Sequence, residues 1–114
     1  MDAQISLAEG STLGAVFVDL KDAFNCIDFN ILHRKLSILN FPDEVAHRLA
    51  YLFHDRKVFV RDGCNRIVGP RIALGGLPQG ASLSPILFNL YTLDLHQQFN
   101  SNISIIQYAD DICI

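Results

Sequence analysis

The hydrophobic positions of this chain change period from one stretch to the next, and each change marks an element. Residues 1–13 are small, polar and unpatterned, which predicts a poorly ordered end. Gly14–Leu20 is a near-continuous apolar run of the kind buried on both faces of a sheet, with Asp19 where the strand emerges. Lys21–Ile27 reads as a turn-like connection carrying Asp22 and Phe24. Asp28 is a candidate N-cap for a helix with Leu32, Leu36 and Leu39 at helical spacing, and Asn40-Phe-Pro42 stops it. Pro42 or Asp43 opens a second helix, with Val45, Leu49, Leu52 and Phe53 predicted on one face. Lys57–Arg61 and Cys64–Val68 alternate as a hairpin joined by Asp62-Gly63, a favoured pair for a tight turn. Gly69-Pro70 is predicted to break it, leaving Arg71–Leu74 as a further extended piece.

Three glycines and two prolines then occupy Gly75–Pro85 and exclude regular structure from most of it. Ser84 as N-cap, with Pro85 at the first helical position, predicts a helix to about Gln98. Leu87, Leu90, Tyr91 and Asp94 lie on its adjacent turns. Ile103–Ile114 reads as two short strands of β-branched and aromatic residues, with Ala109-Asp110-Asp111 as the turn between them. The predicted order is β-α-α-β-β-loop-α-β-β, a mixed α/β (α+β) fold with an antiparallel component.

Composition narrows the class. Half of the 114 residues are hydrophobic and 18% are charged, which is globular and fits one domain or a piece of one. No run reaches the roughly 20 apolar residues that span a bilayer, and no signal peptide pattern is visible. Three widely spaced cysteines, Cys26, Cys64 and Cys113, predict reduced, buried thiols in an intracellular protein. The net charge of −3 is unevenly spread. Residues 47–71 hold six of the nine basic side chains against two acids, while the segments on either side are acidic. Such a distribution suits a protein that holds cations in one place and a polyanion in another, or a hairpin whose charged edges block aggregation.

Adjacent carboxylates between apolar strands raise a chemical question. Asp19 ends one predicted strand, and Asp110 and Asp111 sit at the tip of a hairpin of similar character. If these strands neighbour one another, three carboxylates meet at one end of a sheet. Unpaired they would partly protonate, whereas divalent cations with hard oxygen ligands would neutralise them. Strand-end capping or a salt-bridged surface acid is the plainer alternative for Asp19. The Gly75–Gly80 loop matches neither a Walker A nor a dinucleotide fingerprint, and Gln79 offers both a donor and an acceptor.

The order and wording of three motifs is more specific. Val18-Asp19-Leu20-Lys21-Asp22-Ala23-Phe24, then Gly76-Leu-Pro-Gln-Gly80 with Ser84-Pro-Ile-Leu-Phe-Asn89, then Tyr108-Ala-Asp-Asp111 resembles the palm of reverse transcriptases. The wording is most similar to non-LTR, LINE-type retrotransposons of the jockey-like group, over residues 14–114. The resemblance implies that Asp19, Asp110 and Asp111 are the catalytic triad and hold two Mg²⁺ ions, with Mn²⁺ as a substitute, and that Leu20 adds its carbonyl. It implies that the amides of Asp22 and Ala23 face the incoming triphosphate. Phe24 would exclude a ribose 2′-hydroxyl, with ordinary core packing as the plainer reading. Gln79 and Gly80 would lie against the nucleotide, and Tyr108 and Ala109 near primer and template. The basic stretch 47–71 would follow the nucleic-acid path, and helices 29–39 and 85–98 would be core.

The implied reaction is attack of a primer 3′-hydroxyl on the α-phosphorus of a dNTP paired to template RNA, assisted by two metal ions. The implied partners are RNA template, DNA primer, dNTPs, and the fingers, thumb and endonuclease regions of a longer polyprotein, with no membrane. The implied location is nuclear or cytoplasmic. Fingers and thumb are expected to be largely absent from this stretch. The isolated chain is therefore expected to be inactive, with exposed apolar patches and a broad melt. A catalytically inactive remnant, or a co-opted palm that only binds nucleic acid or a protein, is the competing class. A carboxylate-metal phosphohydrolase would share the acids but have no use for Phe24 or the Leu-Pro-Gln-Gly loop.

Overall fold

A computed structural model describes Gly10 and residues 12–114, so most of the unpatterned stretch predicted for residues 1–13 lies outside the described residues. The elements are β1 (Phe17–Asp19), α1 (Phe29–Ile38), α2 (Asp43–Ala50), β2 (Arg56–Arg61), β3 (Ile67–Ala73), α3 (Ser84–Thr92), a 3₁₀ segment (Leu93–Gln98), β4 (Ile106–Tyr108) and β5 (Asp111–Cys113). This is the predicted order, and the fold is mixed α/β with antiparallel sheets. The described residues form two compact units, one of Asp22–Leu93 and one of Asp94–Ile114 with the described residues up to Lys21. Among the described residues no helix is long and apolar enough to cross a membrane.

The Asp22–Leu93 unit is built on α1. Asp28 caps it as predicted, its Oδ1 accepting from the amides of Asn30 at 2.8 Å and Ile31 at 3.1 Å. Asp28→Ala removes both bonds and is expected to cost about 1 kcal/mol in a denaturant melt. The helix closes in a Schellman arrangement: the Phe41 amide donates to Leu36 O at 3.1 Å and the Asn40 amide to Ser37 O at 3.0 Å. Asn40 takes the required left-handed conformation, with φ 62°. Leu32 and Leu36 are fully buried, while Leu39, just past the last turn, is exposed. On α2 the buried residues are Ala46 and Ala50, with Leu49 and Phe53 half-buried, and the predicted Val45 and Leu52 are exposed. The apolar stripe is therefore rotated by one position. Two alanines allow α2 to approach α1 closely, and that contact decides which face is covered.

On α3, Leu87 and Phe88 complete this core, and Lys35 reaches from α1 to the carbonyl of Tyr91 and over its ring, 4.8 Å from the centroid. Ser84 is not the N-cap. It lies inside the first turn, buried, and its hydroxyl donates to Pro78 O at 2.6 Å, tying the glycine-rich loop to the helix. The α-helix ends at Thr92 and none of the 3₁₀ residues is buried, so the predicted core helix is shorter than 85–98.

The β2–β3 hairpin differs from expectation in two places. Its turn is longer than Asp62-Gly63: Asp62 and Arg66 flank a three-residue loop in which Asn65, with φ 64°, takes the left-handed position. Asp62 organises this loop. Its carboxylate accepts from the amides of Arg66 and Cys64 and from the Arg66 guanidinium. These bonds, the Arg66 amide foremost, hold its pKa below the usual carboxylate value. Gly69-Pro70 does not break the strand. These two residues oppose the single residue Phe59 as a bulge, between the Val58–Arg71 and Val60–Val68 pairs. Gly69 has φ 134°, and a Cβ there would lie 2.9 Å from Val58 O.

The second sheet has the order β1-β5-β4, all antiparallel. The predicted burial of the Gly14–Leu20 run on both faces is not found: β1 is exposed throughout, with Phe17 at 82%. Short edge strands carry the apolar sequence of a buried strand, but only Ile112 of central β5 is covered. The thiols also depart from expectation. All three are free, but Cys26 and Cys64 are exposed and Cys113 is half-buried.

Candidate active site

Register on the three-stranded sheet decides which side chains meet. Asp19 pairs with Asp111, and Tyr108 pairs with Asp111 from the other side. Reciprocal bonds of 2.8 and 2.9 Å join Val16 and Ile114. Antiparallel alternation from that pair makes Asp19–Asp111 a non-hydrogen-bonded pair, the kind whose Cα atoms lie about 4.5 Å apart and whose side chains are closest. Directly opposed residues share a face, so Phe17, Asp19, Ile106, Tyr108, Asp111 and Cys113 line one shallow concavity. Val18, Gln107 and Ile112 point to the other face. Asp111 is thus the first residue of β5 and not part of the turn. The turn residues are Ala109 and Asp110, with Ala109 in the left-handed region at φ 53° and its carbonyl accepting from Gln107 Nε2 at 3.0 Å.

Two like charges directly opposed across strands are destabilising unless something neutralises them. Among the described residues no cationic side chain forms an ion pair with Asp19, Asp110 or Asp111. Nor do any three His, Cys, Asp or Glu side chains converge closely enough to enclose an ion among those residues. By chemistry and order the donor set suits a hard divalent cation: two facing carboxylates, a third adjacent in the chain, and the Leu20 carbonyl one residue beyond Asp19.

The remaining predicted residues belong to the Asp22–Leu93 unit and are described within it. Asp22, with φ 53°, starts a tight turn whose carbonyl takes up the amides of Asn25 at 2.9 Å and Cys26 at 3.0 Å. Among the described residues, the amides of Asp22 and Ala23 donate to no backbone carbonyl. Phe24 is half-buried and stacked on Phe88, with ring centroids 4.7 Å apart and planes 15° from parallel. The glycine-rich loop docks on this same turn through Leu77 N to Phe24 O at 2.7 Å and Gly76 N to Ile27 O at 3.2 Å. Gln79 and Gly80, beyond the docked part, are exposed.

Sequence reasoning missed the parts played by Gly76 and Arg56. Gly76 has φ 74°, and its missing Cβ would fall 2.7 Å from Asn25 Cα. The close backbone approach that this glycine permits is toward the chain itself. Arg56 Nη1 donates to Gly76 O at 2.8 Å, so this member of the basic stretch holds the loop. A glycine after a strand was the one available signal for the first, and nothing local marked the second.

Comparison with known proteins agrees with these motifs. The family model described as reverse transcriptase (RNA-dependent DNA polymerase) matches residues 3–114. The chain is 33% identical over 106 residues to the "Probable RNA-directed DNA polymerase from transposon BS" of Drosophila melanogaster, covering 88% of this chain. It is 28% identical over 109 residues to the "RNA-directed DNA polymerase from mobile element jockey" of Drosophila funebris, covering 89% of this chain. In both cases it spans 12% of the relative's length. The jockey-like, non-LTR likeness of its motifs is therefore borne out. The match runs through all three motifs, and the chain belongs to the reverse transcriptase family.

Proposed function

We propose that residues 14–114 form the palm segment of an RNA-directed DNA polymerase that adds dNTPs to a DNA primer on an RNA template. The observation that carries this reading is the facing Asp19–Asp111 pair, with Asp110 at the turn and no cationic side chain in an ion pair with any of the three among the described residues. Such an arrangement is unfavourable in a protein with no use for it. Asp19, Asp110 and Asp111, with the carbonyl of Leu20, would hold Mg²⁺ or Mn²⁺. When bound, two such ions neutralise the triphosphate and lower the pKa of the primer hydroxyl.

The chain's own residues do the positioning. The amides of Asp22 and Ala23, which donate to no backbone carbonyl among the described residues, bond the triphosphate oxygens. Phe24, held flat by Phe88, presents its remaining edge to the sugar and excludes a 2′-hydroxyl. Gln79 contacts the nucleotide. Gly80, with φ 89° and, among the described residues, only its chain neighbours within 4 Å of where a Cβ would stand, lets the nucleotide lie against the backbone. Tyr108, 82% exposed on the face that bears Asp111, and Ala109 at the turn meet the primer end.

The test is primer extension on an RNA template by a polymerase of the relatives' length that carries this segment. Asp110→Asn is expected to lower extension by at least about 100-fold, the scale for removing one group that stabilises developing charge. Extension that survives the substitution overturns the assignment. A parent protein that binds template and never extends would support the inactive binding remnant.

A further inference from the structure

Between residues 47 and 71, Arg48, Lys57, Arg61, Arg66 and Arg71 are exposed, and Arg56 alone of the basic side chains is half-buried. Withdrawing a charge from water costs free energy unless a partner compensates it. Among the described residues no carboxylate pairs with Arg56; its partner is the Gly76 carbonyl, which accepts from Nη1 at 2.8 Å. That carbonyl and the Leu77 amide belong to one planar peptide unit, and the amide donates to Phe24 O at 2.7 Å. Arg56 and the Phe24 turn therefore grip the same plane by its two polar ends. The residue before this plane is the permissive one: Gly76, with φ 74°, has no side chain to restrict rotation about ψ. The residues after it are fixed. Leu77 is fully buried, and Pro78 has a locked φ and a carbonyl that accepts from Ser84 Oγ at 2.6 Å. Exposed Gln79 and Gly80 follow directly.

We propose that Arg56 is a positioning residue for the incoming nucleotide. By clamping the Gly76–Leu77 peptide it fixes where Gln79 and Gly80 stand relative to the turn of Asp22, Ala23 and Phe24. Its charge is directed at that carbonyl and not at a nucleic-acid phosphate. Without the guanidinium, rotation at Gly76 turns the carbonyl toward water and breaks the Leu77–Phe24 bond with it, because one plane carries both groups. The nucleotide's part in this rests on the polymerase reading; the peptide clamp rests on the Asp22–Leu93 unit alone.

The test is single-turnover primer extension by the polymerase of the relatives' length, with dNTP as the titrant, which separates substrate affinity from rate. Arg56→Ala is expected to weaken dNTP affinity about tenfold, the scale for losing a hydrogen bond from a charged group. The maximal rate and the active fraction are expected to stay within about twofold, as for a loss of uniform binding. Arg56→Lys keeps a charged donor without the planar fork and is expected to lose less. Guanidinium ion added at millimolar concentration to Arg56→Ala is expected to restore part of the affinity, and urea at the same concentration none. Affinity for primer and template, and its dependence on salt, are expected to be unchanged. In the same variant the Leu77 amide is expected to exchange its hydrogen faster.

A lower rate or active fraction at unchanged dNTP affinity makes Arg56 a merely structural residue and overturns the proposal. So does a salt slope for primer and template that flattens by about 0.7–0.9, the signature of one lost phosphate contact. Failure of the polymerase reading shows differently, as a parent protein that extends no primer. The nucleotide role then falls with that reading, and exchange at Leu77 decides whether the clamp survives it. Extension by a protein whose dNTP affinity ignores Arg56 removes only this proposal.

Discussion

Gly76→Ala is expected to destabilise the Asp22–Leu93 unit by about 3 kcal/mol or more, read as a lowered urea midpoint at unchanged slope. Two effects add. A residue with a Cβ at φ 74° costs about 1–2 kcal/mol. The new Cβ would also lie 2.7 Å from Asn25 Cα and 2.8 Å from Asn25 O, which are backbone atoms and cannot swing aside. Loss of glycine entropy in the unfolded chain works the other way but contributes only about 0.4–1 kcal/mol. Gly80→Ala separates the terms. Gly80 has φ 89° but open space around it, so only the conformational cost of about 1–2 kcal/mol is expected there. Equal losses at the two positions would show that the contact with Asn25 is not tight in solution. Because Gly76 also bonds Ile27 and receives Arg56, its loss should release the Gln79–Gly80 segment as well.

The second large effect has opposite signs on activity and stability. Asp111→Asn in the relatives-length polymerase is expected to cut primer extension by about 100- to 1000-fold. In the metal-free 114-residue chain the same change is expected to raise stability by a few tenths to about 1 kcal/mol, because it removes a like charge directly across the ladder from Asp19. Asp19→Asn removes the same repulsion. The double variant should therefore be no more stable than either single one, a non-additivity that a double-mutant cycle reads directly. Additive gains would mean that the two carboxylates do not face each other. A loss of stability in either single variant would mean that the carboxylate has a stabilising partner instead. The gain should shrink at high salt, as expected for charges near solvent.

These two predictions illustrate an unequal division of information. The chemistry-bearing residues could be read locally because their wording is local: Asp19 at the end of an apolar run, Asp110-Asp111 in a hairpin, and glycines before a proline-started helix. The start and stop of α1 were equally legible, since Asp28 and Asn40 act on amides and carbonyls within a few residues of themselves, whereas the cap and the end of α3 were not. Burial was not. The α2 stripe moved from Val45 and Leu52 to Ala46 and Ala50 because the covered face depends on how closely α1 can approach. Likewise β1 has the composition of a two-sided core strand and is exposed, since composition specifies a preference and not the neighbour that satisfies it.

The sequence by itself determined the order of elements, the family, and which acids, aromatic residues and loop residues form its motifs. The order of elements follows from spacing along the chain, and the family from the resemblance that the wording of its three motifs carries. Only the tertiary structure decided that Asp111 stands on a strand facing Asp19 while Asp110 stays in the turn, because register is a relation between strands more than ninety residues apart. It also decided that Gly76 serves contact with Asn25, and that Arg56 holds the loop while Lys57 and Arg61 stay exposed on the hairpin. A side chain's identity is a local property. Its partner depends on the distance between segments, and that distance is set by packing.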